Sequence, residues 1–484
     1  MAGIVGIERA NDTRWVERTL GRIDHRGGSG KVVLQLAGAT LGEVWPVGHE
    51  SFARGLEEHG VVLDGEVHNW GSLGPEAMSP AGALAAAYRE SGPEFVSRLE
   101  GPFALAIAAE EGLFLARDRV GKSPLYWGTY EGTLCFASEM KALLARGVEV
   151  TEFPPGHYYH PGRGLVRYAE FRLGEMLEAP AEEVTKELRG LLEEAVAKRV
   201  RVSEVGAWLS GGIDSATMTA LACRHVPKLA TFAVGVEGAP DLEYARVTAE
   251  YLDTEHHERV CDVGEMLEAL PEVIYHLESF DALLVRSSVT NYLVGRLAAE
   301  HVPAVLSGEG GDELFGGYSY LGELDVSALP EELLDITGRL HNTALQRVDR
   351  CSASHGLVAR TGFLDDAVVD YALRIPPEMK VRGAGRPVHK WILRRAVEDL
   401  LPAVVVNRKK AKFWEGAGVS TVLAAHAEEM LSDAEFTSER ELAGGVTLNT
   451  KEEMMYYKVF REVFGEEADP GQVGRTKGAP VAAA

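Results

Sequence analysis

The first third of the chain reads as short apolar runs interrupted by Gly, Asp or Glu. Gly60–Leu63, Phe103–Ala108, Gly112–Ala116 and Thr133–Ala137 are such runs and predict strands. One helical stretch, Ala81–Glu90, lies among them, a pattern that suits a layered α/β domain with antiparallel sheets. Between Phe171 and Glu182 the chain turns polar around Pro180 and predicts a linker. The periodicity then changes. Glu182–Arg199 predicts an amphipathic helix, Gly206–Leu209 a strand, Asp214–Arg224 a helix, Leu229–Val236 a strand, Leu242–Leu252 a helix and Val302–Leu306 a strand. Strands alternating with helices predict a doubly wound parallel sheet. After Leu333 the pattern is mainly helical, and from Glu466 to Ala484 it becomes Gly-, Pro- and Ala-rich with no apolar period, which predicts disorder. The expected domains are therefore 1–172 and 181–465, with a tail at 466–484.

Bulk properties narrow the function. At 484 residues the chain is too long for one ordinary core. A formal net charge of -24 repels phosphate backbones and anionic lipid, so neither nucleic acid nor a membrane is an expected partner. There is no apolar run of membrane-spanning length, and Met1–Ile7 is too short for a signal peptide, so a cytoplasmic location is expected. Cys135, Cys223, Cys261 and Cys351 lack CxxC spacing and read as reduced thiols. His256 and His257 have no partner at metal-ligand spacing and read as structural.

The most informative segment is Leu209-Ser210-Gly211-Gly212-Ile213-Asp214-Ser215, which follows an apolar strand and opens a helix. Such a position offers backbone N–H groups and the positive end of a helix dipole to an anion. Gly211 and Gly212 allow close approach to a phosphate, and the Ser210 and Ser215 hydroxyls add donors. No Lys follows a GxxxxG spacing, so this is not a Walker A loop. SGGIDS instead resembles the pyrophosphate loop of ATP pyrophosphatases, which cut between the α- and β-phosphates and transfer AMP. Read alone, it also fits a strand–helix turn without a ligand. A second string, Leu306 to Tyr318 (LSGEGGDELFGGY), again follows an apolar strand and brings Glu309, Asp312 and Glu313 to the same sheet end. In open α/β sheets ligands sit at the carboxyl ends of strands, so Asp214 and Asp312 can both face a triphosphate and hold Mg²⁺.

LSGEGGDELFGGY closely resembles a signature of glutamine-dependent asparagine synthetases and their relatives. The similarity continues in order through Phe232-Ala233-Val234-Gly235, Pro240-Asp241-Leu242, His256-His257-Glu258, Val273-Ile274-Tyr275-His276, Arg360 with Phe363-Leu364-Asp365, Lys390 with Ile392-Leu393-Arg394, Arg408 to Phe413, and Lys451 to Phe464. The resemblance implies an N-terminal Ntn-hydrolase-like αββα domain and a C-terminal ATP-pyrophosphatase (PP-loop) domain with a helical extension. It implies an acyl-adenylate formed from a carboxylate and ATP, pyrophosphate release, and displacement of AMP by an amine. By the same resemblance Leu209, Ser210, Gly211, Gly212, Asp214, Ser215, Val234, Ser307 and Gly308 hold ATP and pyrophosphate, Asp214 and Asp312 hold Mg²⁺, and Asp312 and Arg286 face the substrate. Glu309 matches a glutamate acting in adenylation and amine attack, and Lys410 a lysine stabilising charge on the phosphate. Lys409, Lys410 and Lys412 also fit an ordinary solvated basic run.

The N-terminal third keeps His25-Arg26-Gly27, Gly65-Glu66, Asn69, Gly101-Pro102-Phe103 and Phe136-Ala137-Ser138-Glu139 of a class II glutaminase frame, but departs where that chemistry resides. The family nucleophile is a cysteine at position 2, whose own amine is the base; here it is Ala2, whose methyl cannot attack an amide. The oxyanion-binding asparagine before Gly65-Glu66 is Asp64, a carboxylate that repels developing negative charge. Gly28-Ser29 replaces Pro-Asp, no Arg or Lys lies between Lys31 and Arg54 to clamp glutamine, and the expected amine-binding acid falls near Pro80. An introduced Ala2 explains one change; losses at several positions point to natural decay.

Two synthetase positions also depart. Leu283-Leu284 stand before Arg286 where the family has threonines, and Val358 stands where it has glutamate. Either the pocket has lost polar contacts to an amino acid, or these side chains are core packing. Three readings stay open: an amide synthetase using ammonia or another amine with an acid other than aspartate, including a β-lactam-synthetase-like variant; an asparagine synthetase proper, fed by ammonia; and an idle relative acting as a binding partner. A homodimer is carried as an open expectation.

Overall fold

The computed structural model describes residues 2–47, 60–74, 79–201, 204–383, 387–408, 420–442, 445–465 and 468–476. The chain divides into two compact units, Met1–Phe171 with Ala353–Val358, and Arg172–Ser352 with Ala359–Ala484.

The first unit holds two sheets. One runs in the order Gly30–Gln35, Thr40–Trp45, Gly3–Ile7, Thr133–Ala137, Tyr126–Tyr130, Thr151–Glu152; the other runs Gly164–Arg167, His157–His160, Gly112–Arg117, Phe103–Ala109, Gly60–Gly65. Their pairings are antiparallel. Alternation along Phe103–Ala109 shows how the layers form. Ala104 and Ala106 meet Ile4, Leu41, Leu115 and Phe136 between the sheets. Phe103, Leu105 and Ile107 face Leu84, Ala87 and Tyr88 of helix Pro80–Ser91. On the other side Val5, Ile7 and Ala137 pack on Trp15, Val16 and Leu20 of helix Thr13–Leu20. The layers are helix, sheet, sheet, helix. Covering both faces of each sheet is why these strands read as unbroken apolar runs.

The second unit is built on a five-stranded sheet in the order Glu255–Val260, Ala230–Gly235, Gly206–Trp208, Ala304–Ser307, Val358–Thr361. The pairings of Gly206–Trp208 with both neighbours, and of Ala230–Gly235 with Glu255–Val260, are parallel. Strand order reverses at Gly206–Trp208, so the turns after it and after Ala304–Ser307 meet at the switch point. Glu255–Val260 is too polar to read as a strand, yet forms the sheet's edge. There His256 Nδ1 lies 3.0 Å from Thr231 Oγ1, and the His257 ring stacks on Phe232 with centroids 5.4 Å apart. The histidine pair is thus part of the sheet's packing.

The tail expectation needs correction over 468–476. Pro470–Gln472 forms a 3₁₀ turn, and the Thr476 N–H and hydroxyl donate to Asp281 at 3.1 and 2.8 Å. Arg475 pairs with Glu453 and lies over the Phe280 ring. Low apolar content hid a segment fastened by polar contacts instead. No helix among the described residues is long and apolar enough to cross a membrane, and no disulfide joins any of Cys135, Cys223, Cys261 and Cys351.

Lys380 ends the short helix Pro377–Lys380 and is buried, which alone pushes its ammonium down to about 7. A lysine depressed in the folded state binds fewer protons there than when unfolded, so stability rises with pH from about 7 toward the ordinary value of 10.5. Lys380→Met is expected to stabilise the chain at pH 7 by about 2–4 kcal/mol and to flatten that rise. Urea unfolding at pH 7 and 9.5 checks it; equal destabilisation at both pH values would refute it.

Candidate active site

The turn after Gly206–Trp208 is shaped before any ligand arrives. Leu209 N–H extends the ladder to Phe232 O (2.8 Å). The Ser215 hydroxyl accepts from Ser210 N–H (3.1 Å) and donates to Gly212 O (3.1 Å), and Ser210 Oγ lies 3.1 Å from it. Helix Ile213–Ala222 starts immediately, with Asp214 in its first turn. Val234 lies buried in the adjacent strand Ala230–Gly235.

The second turn presses on the first. A Cβ on Gly308 would sit 2.8 Å from Ser215 N and 2.9 Å from Asp214 C, so only glycine permits this approach. Ser307 ends its strand, buried, and Asp312 sits in the first turn of helix Gly311–Phe315. Asp214 and Asp312 are brought together by a residue that the sequence reading noted only within a run of similarity. The buried Lys390 ammonium pairs with both Asp214 Oδ2 and Asp312 Oδ1. Burial works to lower the Lys390 ammonium, but the two carboxylates outweigh it and hold it above the ordinary lysine value. Lys390 adopts a left-handed backbone (φ 56°), uncommon for a residue with a side chain.

Beside this triad, Glu309 is paired with Arg347, whose guanidinium also donates to Ser287 Oγ (2.8 Å). Arg347 was not singled out from the sequence; nothing local marks it, since its partner is on a distant loop. Tyr318 donates to Glu313 at 2.5 Å. Burial, with the charges of Asp312 and Glu309, pushes the Glu313 carboxyl up to about 7.

Arg286, expected to face substrate, has its fork engaged internally. It donates from Nε to Glu452 Oε1 (2.8 Å) and from its second nitrogen to Oε2, while Tyr456 donates to the same carboxylate (2.7 Å). Leu284 and Val358 are buried and Leu283 half-buried. Lys410, with Lys409 and Lys412, lies outside the described residues.

In the first unit Ala2 precedes strand Gly3–Ile7, and its carbonyl accepts from Arg26 Nε (2.8 Å). Arg26 reaches Glu139 Oε1 at 2.6 Å and Asp64 Oδ2 at 3.2 Å, and Ser138 donates to Asp64 Oδ2 at 2.9 Å. Lys141 also pairs with Glu139, and His25 Nε2 lies 3.1 Å from it. Burial, the largest effect, lowers the His25 imidazole despite Glu139. Gly65 ends strand Gly60–Gly65, and Glu66 N–H donates to Pro102 O (2.8 Å). Asp64 is therefore an acceptor inside a buried charge network, and its carboxylate has no N–H to offer an oxyanion. Pro80, the position of the expected amine-binding acid, is the first residue of its helix.

Interlocked turns thus meet at the switch point of a parallel sheet, in a chain that also carries a four-layered αββα unit. The chain matches the family described as Asparagine synthase over residues 187–335 and 325–481, and the Glutamine amidotransferase domain over residues 1–153. It is 36% identical over 439 residues to asparagine synthetase B [glutamine-hydrolyzing] of Escherichia coli (strain K12), covering 84% of this chain and 79% of that one. It is 35% identical to a probable asparagine synthetase of Schizosaccharomyces pombe (84% and 81% covered) and 32% identical to one of Dictyostelium discoideum (96% and 94%). The chain belongs to the asparagine synthetase family, whose members are ATP-dependent ligases that form carbon–nitrogen bonds and release AMP.

Replacing Lys390 leaves two like charges facing each other with no cation between them. Lys390→Met is expected to cost about 3–5 kcal/mol of stability in the ligand-free chain, the scale for breaking a buried ion pair. Chemical denaturation checks this, with Lys198→Met, half-exposed at 3.5 Å from Asp365, expected to cost under about 1 kcal/mol as a control.

Proposed function

We propose that the chain adenylates a small carboxylic acid and transfers the acyl group to ammonia or another amine, without releasing ammonia from glutamine itself. The observation that carries this reading is the joining of Asp214 and Asp312, from two separate turns, at one buried cation. In the proposed reaction a substrate carboxylate oxygen attacks the α-phosphorus and the bond to pyrophosphate breaks. An amine nitrogen then attacks the acyl carbon, AMP leaves, and the nitrogen gives up a proton. The N–H groups and hydroxyls of the Ser210–Ser215 turn receive the leaving pyrophosphate. Glu309, held by Arg347, is the carboxylate offered to the incoming amine. Lys410 is the family's charge-stabilising lysine.

Asp214 and Asp312 are oxygen donors brought together from two turns and would hold a magnesium ion through the carboxylate oxygens that do not pair with Lys390. Among the described residues no group of three or more His, Cys, Asp or Glu side chains could hold a metal. The ion would therefore need phosphate oxygens and water for its remaining ligands, as Mg²⁺ commonly does. When bound with ATP it would neutralise phosphate charge.

Loss of glutaminase activity is supported by Ala2 and by Asp64, which lacks the donor an oxyanion needs. Aspartate stays a candidate acid, because the relatives at 32–36% identity are named asparagine synthetases. They are also named glutamine-hydrolysing, so glutaminase activity is to be measured directly. Apolar Leu283 and Val358 favour a different acid.

ATP–pyrophosphate exchange across a panel of carboxylic acids, aspartate included, is expected to name the substrate. The nucleotide product should be AMP; ADP as the product with the true substrate would sink the adenylation reading. Glutamate should not accumulate from glutamine, nor should Ala2→Cys alone restore its release; efficient release by that single variant would show Ala2 to be the only lesion. Lys410→Ala is expected to lower turnover by about 10²–10³-fold with little change in ATP affinity, whereas Lys409→Ala should not.

A further inference from the structure

One arginine beside the phosphate turn is held in place more firmly than an ordinary ion pair requires. Gly211 has a left-handed backbone (φ 68°), and a Cβ there would lie 2.5 Å from Tyr244 Cβ and 2.8 Å from both Asp241 O and Ala245 N. The turn thus rests directly on the first turns of helix Pro240–Leu252. From that helix Asp241, buried, accepts from Arg408 at 2.5 Å. The Arg408 guanidinium carbon lies over the Tyr244 ring, 4.1 Å from its centre. Its carbonyl is fixed in turn: Arg394 donates to Arg408 O (3.1 Å), to His389 O (2.8 Å) and to Val406 O.

An arginine has five N–H donors. Asp241 takes one, and the Arg408 guanidinium makes no other hydrogen bond among the described residues. Burying Asp241 is costly: desolvation pushes its carboxyl up to about 6 against the pull of Arg408. A pair that merely tied two elements together would gain little, because desolvation of a buried ion pair offsets most of its attraction. What the arrangement does provide is a planar cation held from two sides, with donors to spare, beside the turn that opens helix Ile213–Ala222. That fork matches the geometry of phosphate oxygens.

We propose that Arg408 contacts the phosphates of the bound nucleotide, and that Asp241 and Tyr244 are positioning residues that aim it. The proposal rests on reading the Ser210–Ser215 turn as a phosphate site, and the test separates the two. Calorimetric titration of the full chain with inorganic pyrophosphate and with Mg-ATP is run on the wild type, Arg408→Lys, Arg408→Gln, Asp241→Asn and Ser210→Ala, with melting of each ligand-free chain alongside. Arg408→Lys is expected to weaken pyrophosphate binding about tenfold while melting near the wild type, since charge is kept and the fork lost. Arg408→Gln should weaken it further. Asp241→Asn, which leaves the guanidinium unaimed, should weaken it about threefold to tenfold and raise the KM for ATP more than it lowers kcat. If both Arg408 variants bound pyrophosphate within twofold of the wild type while Ser210→Ala bound it poorly, the turn would stand and the proposal would fall, leaving Arg408 a strut. If the wild type bound neither probe, the turn itself would be misread and the proposal would fall with it. Should Arg408→Gln not fold, Arg408→Lys decides alone.

Discussion

Two carboxylates on neighbouring turns do not stay close in a protein interior without a cation between them, and the second unit is organised around meeting that condition. Lys390 supplies the charge, so the segment bearing it must reach the switch point of the sheet although it lies far along the chain from both turns. A left-handed residue costs roughly 1–2 kcal/mol. Two charge-assisted contacts in a buried setting outweigh that. The requirement also explains the crowding of glycine in the second turn, since Gly317 with a side chain would collide with Asp312 and with Lys390 itself.

What could be read from the sequence follows from whether the physics is local. Both turns were legible because glycines, hydroxyls and acids lie next to one another at a strand end. Strands covered on both faces, such as Phe103–Ala109, were legible as apolar runs. Thr40–Trp45 was not, because Gly42 and a buried Glu43 interrupt its pattern. The edge strand Glu255–Val260 stayed hidden because its polar side chains find distant partners: His256 meets Thr231, Glu258 accepts from Arg246, and Arg259 donates to Glu265. Partners far apart in sequence left no local trace: Lys390 with Asp214, Arg347 with Glu309, and Arg286 with Glu452. Arg286 is the instructive case, because its residue type alone marks it as a carboxylate binder and only the fold shows that the carboxylate it holds is the protein's own.

The first unit shows how a buried carboxylate keeps its charge balance. Asp64 has the charge that should repel an oxyanion, and the sequence alone suggests an isolated repulsive group. In the fold Arg26 and Ser138 absorb it, and Glu139 is balanced from the other side by Arg26 and Lys141. A buried network of this kind is costly to break one member at a time. It therefore holds as scaffold whatever chemistry Ala2 takes part in, and the Asp64 carboxylate within it is an acceptor with no donor to give.

Asp281 has two loads. Its carboxylate caps the helix Ala282–Ala299 by accepting from Leu284 N–H (2.9 Å), and the same side chain receives Thr476 from the end of the described chain. The helix that carries Leu283, Leu284 and Arg286 is thus anchored at its first turn by the carboxyl-terminal strap. Variation in length or sequence around Arg475 and Thr476 becomes a means of tuning that helix from a distance, open to drift or selection without any exchange in the helix itself.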